Sequence, residues 1–390
     1  MDPSTQVELV RRLLRLETDG AGGMAPAPVR HPVSDYTSSE QLRLELSRLF
    51  RAGPLLAGLA CEAAGPGDWF SLDAAGSPVL VVRDAEGRLR AFLNVCRHRG
   101  ARVAEGRGRA ARGFTCPYHA WRYALAGSLT APSHREGFAG LDRRALALAP
   151  LPVAERAGLV YVRPSPGAPI DLEGVLSGIE RELAPFDLAG YHLQDRRSFS
   201  RAVNWKLVVD TFLESYHVPF LHRESIARYF RGDFSLFDPF GRNGRLAALR
   251  RSVAELEGRP EAEWSIVPHT TLLYCLFPNA VLIYQQDHVQ LWQVFPEPGS
   301  PDAATVVVSQ YVPEPPSDEK AARHWRVNMD LLLDVTNRED FEQCERMQQG
   351  FHTSAQECVI FGRNEPGLIH FHRQVREAIG LQTEGGGSGA

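Results

Sequence analysis

Apolar and polar residues alternate in different ways along the chain, and each pattern predicts a different kind of element. Val7–Leu16 is amphipathic at helical spacing and runs into the Gly/Ala/Pro-rich segment Gly20–Pro32, so residues 1–40 are expected to form an entry arm. Residues 41–52 read as a helix with Leu42, Leu44, Leu46 and Leu49 on its apolar side. From Gly65 to Pro166 no helix-length periodicity appears. Val79–Val82 and Ala91–Val95 read as strands joined through a turn at Asp84–Gly87, and Gly158–Val162 reads as another.

The pattern changes near Asp171. Leu172–Leu183 reads as helical and Phe199–Arg201 as extended. Asn204 is placed to cap a helix predicted to run through His217. Strands are predicted at Thr270–Leu276, Ala280–Gln286, Gln290–Phe295 and Thr305–Tyr311. One helix is predicted to start at Ser317, after Pro315–Pro316. Another is predicted from Thr336, in a capping box with Glu339, to Gly350. The Gly-rich end, Gly385–Ala390, reads as a mobile tail. The expectation is an α+β chain with an arm at 1–40, an all-β domain at 41–166, a second domain at 167–380 and a tail at 381–390.

Composition narrows the class. A chain of 390 residues with 44% hydrophobic residues can bury two cores. Its longest apolar runs, such as Thr270–Leu276, fall well below the roughly 18 residues a membrane span needs. Met1–Glu8 lacks the basic, apolar character of a secretory signal, so no membrane and a cytoplasmic location are expected. A net charge of −4 argues against a nucleic-acid partner. Six cysteines are too sparse for a disulfide framework, and close Cys–His spacing then points to metal.

Two constellations carry chemistry. In the first, Cys96-Arg97-His98 is followed after 17 residues by Cys116-Pro117-Tyr118-His119. Each half offers one thiolate and one imidazole, the mixture a Rieske [2Fe–2S] centre uses, with two Cys on one iron and two His on the other. A Cys2His2 zinc site is the competing reading, but structural zinc usually pairs like ligands. Between the halves lie Arg97, Arg99, Arg102, Arg107, Arg109 and Arg112, opposed only by Glu105. They form either a docking surface for an acidic electron donor or a solvated loop.

In the second constellation, Asp210, Glu214 and His217 fall at i, i+4 and i+7 of the predicted helix, sharing one face. Pro219 then breaks that helix and lets His222 turn back towards His217. Two imidazoles and one carboxylate suit a facial triad on non-haem Fe(II). Asp340 is the best distal carboxylate, with Asp334, Glu339 and Glu342 as alternatives.

Together the two constellations, with Leu276-Phe277-Pro278-Asn279 and Glu339-Asp340…Cys344-Glu345-x-x-Gln348-x-Gly350, resemble the α-subunit family of Rieske non-haem iron oxygenases. The resemblance runs over roughly residues 40–375. It implies an N-terminal Rieske domain and a C-terminal helix-grip domain, an antiparallel sheet wrapped on a long helix. It implies a [2Fe–2S] cluster on Cys96, His98, Cys116 and His119, and Fe(II) on His217, His222 and Asp340. Glu214 matches the acidic residue that links the iron site to a Rieske histidine of the next subunit in a homotrimer, and Asp210 matches a position close to the iron. The linking position often holds Asp; Glu occurs there in relatives that oxidise quaternary ammonium compounds. Electrons would come from NAD(P)H through a separate reductase, with or without a ferredoxin.

The favoured expectation is O2-dependent hydroxylation of an apolar aromatic, alicyclic or terpenoid substrate. The alternatives are oxidation of a quaternary ammonium compound, or a Rieske electron carrier without catalytic iron. Leu272, Tyr274, Leu276, Phe277, Leu282, Tyr284 and Trp292 are candidate pocket residues, and equally good core residues.

Overall fold

A computed structural model describes residues 1–19, 23–256 and 258–381. The Gly-rich tail read as mobile lies outside them. The chain divides into two units. One comprises Leu46–Leu172 and Asp187–Gly190; the other comprises Met1–Glu45, Glu173–Phe186 and the chain from Tyr191 onward.

The first unit is built from short strands. Its largest sheet is five-stranded and antiparallel, ordered Pro150–Leu151, Leu89–Leu93, Ser77–Arg83, Asp68–Ala74 and Arg107–Arg109. Ser77–Arg83 pairs with Leu89–Leu93 across the predicted turn, with Val79 opposite Leu93. Asp84 holds that turn, its Oδ1 accepting from the backbone N–H groups of Glu86 and Arg88. A three-stranded sheet of Phe114–Thr115, Arg122–Tyr123 and Leu129–Ala131 packs its aromatic residues into a buried cluster with Leu80, Phe92 and Trp121.

The second unit is a seven-stranded antiparallel sheet with helices. Its order is His192–Arg201, Ala304–Val312, Val289–Pro296, Ala280–Tyr284, Thr270–Leu276, Asn243–Arg250 and Phe230–Phe240. Every residue of Thr270–Leu276 is buried, so both faces of the sheet are covered. On one face lies a helix running from Glu319 to Phe351. Its Phe341 meets Trp292 and Phe199, and its Asn328 accepts a hydrogen bond from Gln310. The other face packs Tyr274 and Tyr284 against Phe186. The architecture is thus α+β, with the sheet-on-long-helix arrangement expected of the C-terminal part.

Several local expectations are corrected. The supposed entry arm is packed into the second unit. Helix Pro3–Asp19 buries Leu9, Val10, Leu13 and Leu16, and the Met1 ammonium donates to Glu182 O at 2.8 Å. Val29–Pro32 pairs with Cys358–Phe361. Leu172–Leu183 is two short helices, because Ser177 and Gly178 adopt φ of 50° and 90°. Strands Phe230–Phe240 and Asn243–Arg250 and helix Pro366–Ala378 had no counterpart in the sequence reading. Asn243–Arg250 carries two alanines and a leucine pair that favour helix locally, and its sheet neighbours override them.

The largest corrections concern the two helices bearing the triad. The helix capped by Asn204 ends at Asp210 instead of running through His217. A second short helix, Val218–Leu221, begins after His217, with Pro219 in its first turn, where a missing N–H costs nothing. Pro219 therefore helps start a helix and does not break one. Nor does a new helix start at Thr336. The Thr336 hydroxyl donates back to Leu332 O at 2.9 Å, and residues Thr336–Phe341 form a π-helical turn inside a continuous helix. The helix predicted to start at Ser317 begins at Glu319, with Asp318 as its cap, accepting from Ala321 N at 2.8 Å.

Candidate functional site

In the β unit, the two Cys/His halves sit on two tight loops. Cys96 N donates to Ala101 O and Gly100 N to Cys96 O; Cys116 N donates to Trp121 O and Ala120 N to Cys116 O. Gly100 and Ala120 both take positive φ, so each loop turns back on itself. Cys96 and Cys116 are buried in one cluster, and the His98 and His119 rings lie 4.7 Å apart. His98 stacks on Trp121 at 4.9 Å. Arg97 N donates to the Tyr123 hydroxyl at 2.9 Å, which lies 3.3 Å from Cys96 Sγ. Burial pushes the Cys96 thiol up, although the Tyr123 hydrogen bond opposes it. His98 Nδ1 is buried without a hydrogen-bond partner. Two buried sulfurs beside an orphaned imidazole nitrogen fit a cationic cluster, which would turn the thiols into thiolates and engage that nitrogen. Of the six arginines between Cys96 and Cys116, Arg102 pairs with Asp73 and Arg109 with Asp68.

In the second unit, the structure brings His217, His222 and Asp340 together, with one ligand atom from each within 4.8 Å of the others. Asp340 Oδ1 lies 3.5 Å from His217 Nε2 and 3.1 Å from His222 Nε2. The Nδ1 atoms face away, each to its own carboxylate: His217 Nδ1 to Glu214 and His222 Nδ1 to Glu339. A proton held on Nδ1 leaves Nε2 as a lone-pair donor aimed at the shared point. Asp340 Oδ1 is then buried and receives no hydrogen bond. A carboxylate oxygen left so, facing two imidazole lone pairs, fits a divalent cation of the 2-His-1-carboxylate class. Burial opposes charge on His222, yet Asp340 and Glu339 together raise its pKa, a sign of how negative the site is.

Glu214 keeps the His217 N–H out of a helical hydrogen bond. Its Oε2 accepts from His217 N at 3.1 Å while its Oε1 meets Nδ1 of the same histidine. The side chain thus takes a backbone N–H that a continuing helix would have pointed at a carbonyl. His217 and His222 become neighbours across the short helix that follows, ring centroids 5.1 Å apart. Asp340 lies in the π-helical turn, whose extra residue displaces side chains from regular helical register. Sequence reading missed Glu339 as the partner of His222, having used it as a cap. Ser225 was also missed; its hydroxyl donates to Glu339 at 2.7 Å.

Asp210 is not in contact with the triad. Its carboxylate accepts from the Tyr36 hydroxyl at 2.8 Å and lies 2.8 Å from His372 Nε2. Burial pushes it up to about 8, against the Tyr36 hydrogen bond and Lys206. Burial also depresses His372, to about 3. Asp210, Glu214, His217 and Asp340 share a cavity of about 220 Å³.

A larger cavity, about 470 Å³, opens on the other side of His217, His222 and Asp340. Period-two alternation selects its sheet wall: Leu246, Ala248 and Arg250 on one strand, Thr271 and Leu273 on the next, then Ile283 and Gln290. The opposite wall is the long helix, through Asn328, Leu331, Leu332, Val335 and Thr336. Of the residues offered as lining or core, Leu272, Tyr274, Leu276, Leu282 and Tyr284 take the other phase and face away, the first four as buried core.

The catalytic-domain model of the ring-hydroxylating alpha subunit matches residues 188–381, and the Rieske [2Fe-2S] domain model matches residues 56–143. The chain is 32% identical over 194 residues to a glycine betaine monooxygenase oxygenase subunit of Pseudomonas aeruginosa, covering 50% of this chain and 44% of that relative. It is therefore matched to less than half of that protein's length. It is 28% identical over 354 residues to the chloroplastic choline monooxygenase of Spinacia oleracea, covering 89% and 78%. A solved quaternary ammonium Rieske monooxygenase, CntA, in complex with substrate L-carnitine superposes with a TM-score of 0.77 at 22% identity, covering 90% of this chain and 96% of that one. Among the described residues, no helix is long and apolar enough to cross a membrane.

Proposed function

Because this chain belongs to the α-subunit family of Rieske non-haem iron oxygenases, we propose that it is the oxygenase component that hydroxylates a quaternary ammonium compound. The observation that carries the oxygenase reading is the pairing of His217 and His222 with Asp340 Oδ1, each imidazole locked through Nδ1 to a carboxylate. An electron carrier would have no use for that arrangement.

Iron on His217, His222 and Asp340 would supply coordination positions open to O2, fed by a [2Fe–2S] cluster on Cys96, His98, Cys116 and His119. The overall reaction consumes O2, two electrons and two protons, and yields one hydroxylated carbon and one water. Glu214 and Glu339 keep the Nδ1 protons in place, so both Nε2 atoms stay turned to the metal. The apolar walls, Leu246, Leu273, Ile283 and Leu332, limit water at the reacting carbon. Glu214 also serves as the link to His98 or His119 of a neighbouring copy, in a homotrimer. Electrons come from NAD(P)H through a separate reductase, with or without a ferredoxin, in the cytoplasm.

The quaternary ammonium reading displaces the apolar substrate favoured on sequence. Similar chains are named for glycine betaine and choline, and the cavity has a polar far end that a wholly apolar molecule would leave unmatched. Substrate-dependent O2 uptake with a suitable reductase tests this. Trimethylammonium compounds should stimulate uptake, and purified protein should carry about three irons per chain. Stimulation by aromatic hydrocarbons alone would sink the substrate class, and about two irons per chain would sink the oxygenase.

A further inference from the structure

Arg250 is the one lysine or arginine lining the large cavity among the described residues. It ends its strand on the same face as Leu246 and Ala248. Its Nε and Nη2 donate to Thr271 Oγ1 at 3.2 and 3.1 Å, and Nη2 donates to Gln285 Oε1 at 2.6 Å. These neutral acceptors fix the guanidinium plane and leave Nη1 without a hydrogen bond among the described residues. No carboxylate of the described residues lies within ion-pair distance of it. The acid that acts on it, Asp287, is directed to His288 Nδ1 at 2.7 Å. Burial lowers the Arg250 pKa, with Asp287 opposing, as for a cation partly stripped of water and only weakly compensated.

The position of Arg250 is as informative as its charge. Gln285 N bonds His288 O at 3.0 Å, and the His288 ring meets Trp325 at 5.4 Å. Arg250 therefore lies near the Trp325–Asn328 end of the long helix, whereas Asp340 marks the metal end. Asn328 and Asp340 are twelve positions apart on that helix, roughly 18 Å along its axis, and Arg250 itself pairs across the sheet with Phe230, which follows the turn after His222. A guanidinium held flat by two neutral acceptors, with donors to spare, has the geometry to receive a carboxylate.

We propose that Arg250 binds the carboxylate of the substrate, and that the substrate is an elongated zwitterion with its trimethylammonium end at the metal and its anionic end at Arg250. This rests on the oxygenase reading above and narrows its substrate class. Choline-type cations, which have no anionic end, would be poor substrates, and longer ammonio-carboxylates would exceed the shortest.

The test uses the full chain with its reductase and a series of trimethylammonio-carboxylates of increasing length, each beside its uncharged amide. Arg250→Gln is expected to raise KM for the carboxylates by roughly 10- to 100-fold, the loss of one charge-assisted contact, with kcat little changed and the amides unaffected. Arg250→Lys should recover part of the loss, and the cluster absorbance and iron content of both variants should match the wild type. Equal losses on carboxylate and amide would overturn the proposal, as would a wild-type preference for the amides or for the shortest carboxylate. If the wild type instead oxidised an apolar carboxylic acid and no trimethylammonium compound, with the same penalty in Arg250→Gln, the ammonium reading would fail while the carboxylate site stood.

Discussion

The two candidate metal sites are assembled in opposite ways. In the β unit, four candidate ligand residues come from two short loops, each closed by its own backbone hydrogen bonds within five residues of its cysteine. In the second unit, three candidate ligand residues come from two interrupted helices, and Asp340 is separated from His222 by most of the sheet. The first site is local geometry repeated twice. The second exists only after a seven-stranded sheet has carried a long helix back to a broken one.

That difference can be broken or sharpened by removing one ligand from each. Cys96→Ser should abolish the cluster's visible absorbance and its reduced EPR signal, while leaving the iron-binding capacity of the triad intact. Asp340→Ala should do the reverse: full cluster absorbance, loss of about one iron per chain, and no product. Both variants should lose all detectable turnover, the largest effect expected. Loss of cluster absorbance in Asp340→Ala would mean that the second unit's fold, and not its ligand set, had been damaged.

The contrast also explains what could be read from the chain. Cys96, His98, Cys116 and His119 were legible because their spacing alone specifies the loops. The sheet strands from Thr270 onward were legible because they are apolar runs bounded by turns. The triad was legible in composition but not in conformation. Reading Asp210, Glu214 and His217 as one face of a continuous helix failed, because nothing in the sequence shows Glu214 taking the backbone N–H of His217. The Thr336…Glu339 pair has the form of a capping box, yet a π-helical turn inside a longer helix uses the same residues differently. Both errors fall where backbone irregularity aims a ligand, and such irregularity is set by tertiary contacts.

Within the second site, Glu214 and Glu339 play one visible part, each holding a histidine Nδ1. The proposed electron link assigns Glu214 a second. Glu339→Gln should weaken iron binding roughly 10- to 100-fold, with turnover restored by excess iron. Glu214→Gln should retain both metals and still lose most turnover. Stopped-flow readings should then show a reduced cluster that fails to deliver its electron. If the two variants behaved alike, with both rescued by iron, Glu214 would be a positioning residue only.

Asp210 offers the smallest effect and a distinctive one. It sits with Tyr36 and His372 away from the triad atoms, and burial pushes it up to about 8. The carboxyl of an unfolded chain titrates near ~3.9. Between these values the folded protein binds a proton that the unfolded chain has lost. Its contribution is therefore most favourable below about pH 4 and declines as pH rises, levelling off above about 8. Asn cannot ionise, but it can accept from the Tyr36 hydroxyl and donate to a neutral His372. Asp210→Asn should accordingly match the wild type near pH 5 and gain on it by roughly 1–3 kcal/mol towards pH 8. Thermal melts across that range read the gap directly. A gap that stayed constant with pH would mean that Asp210 is an ordinary ionised carboxylate despite its burial.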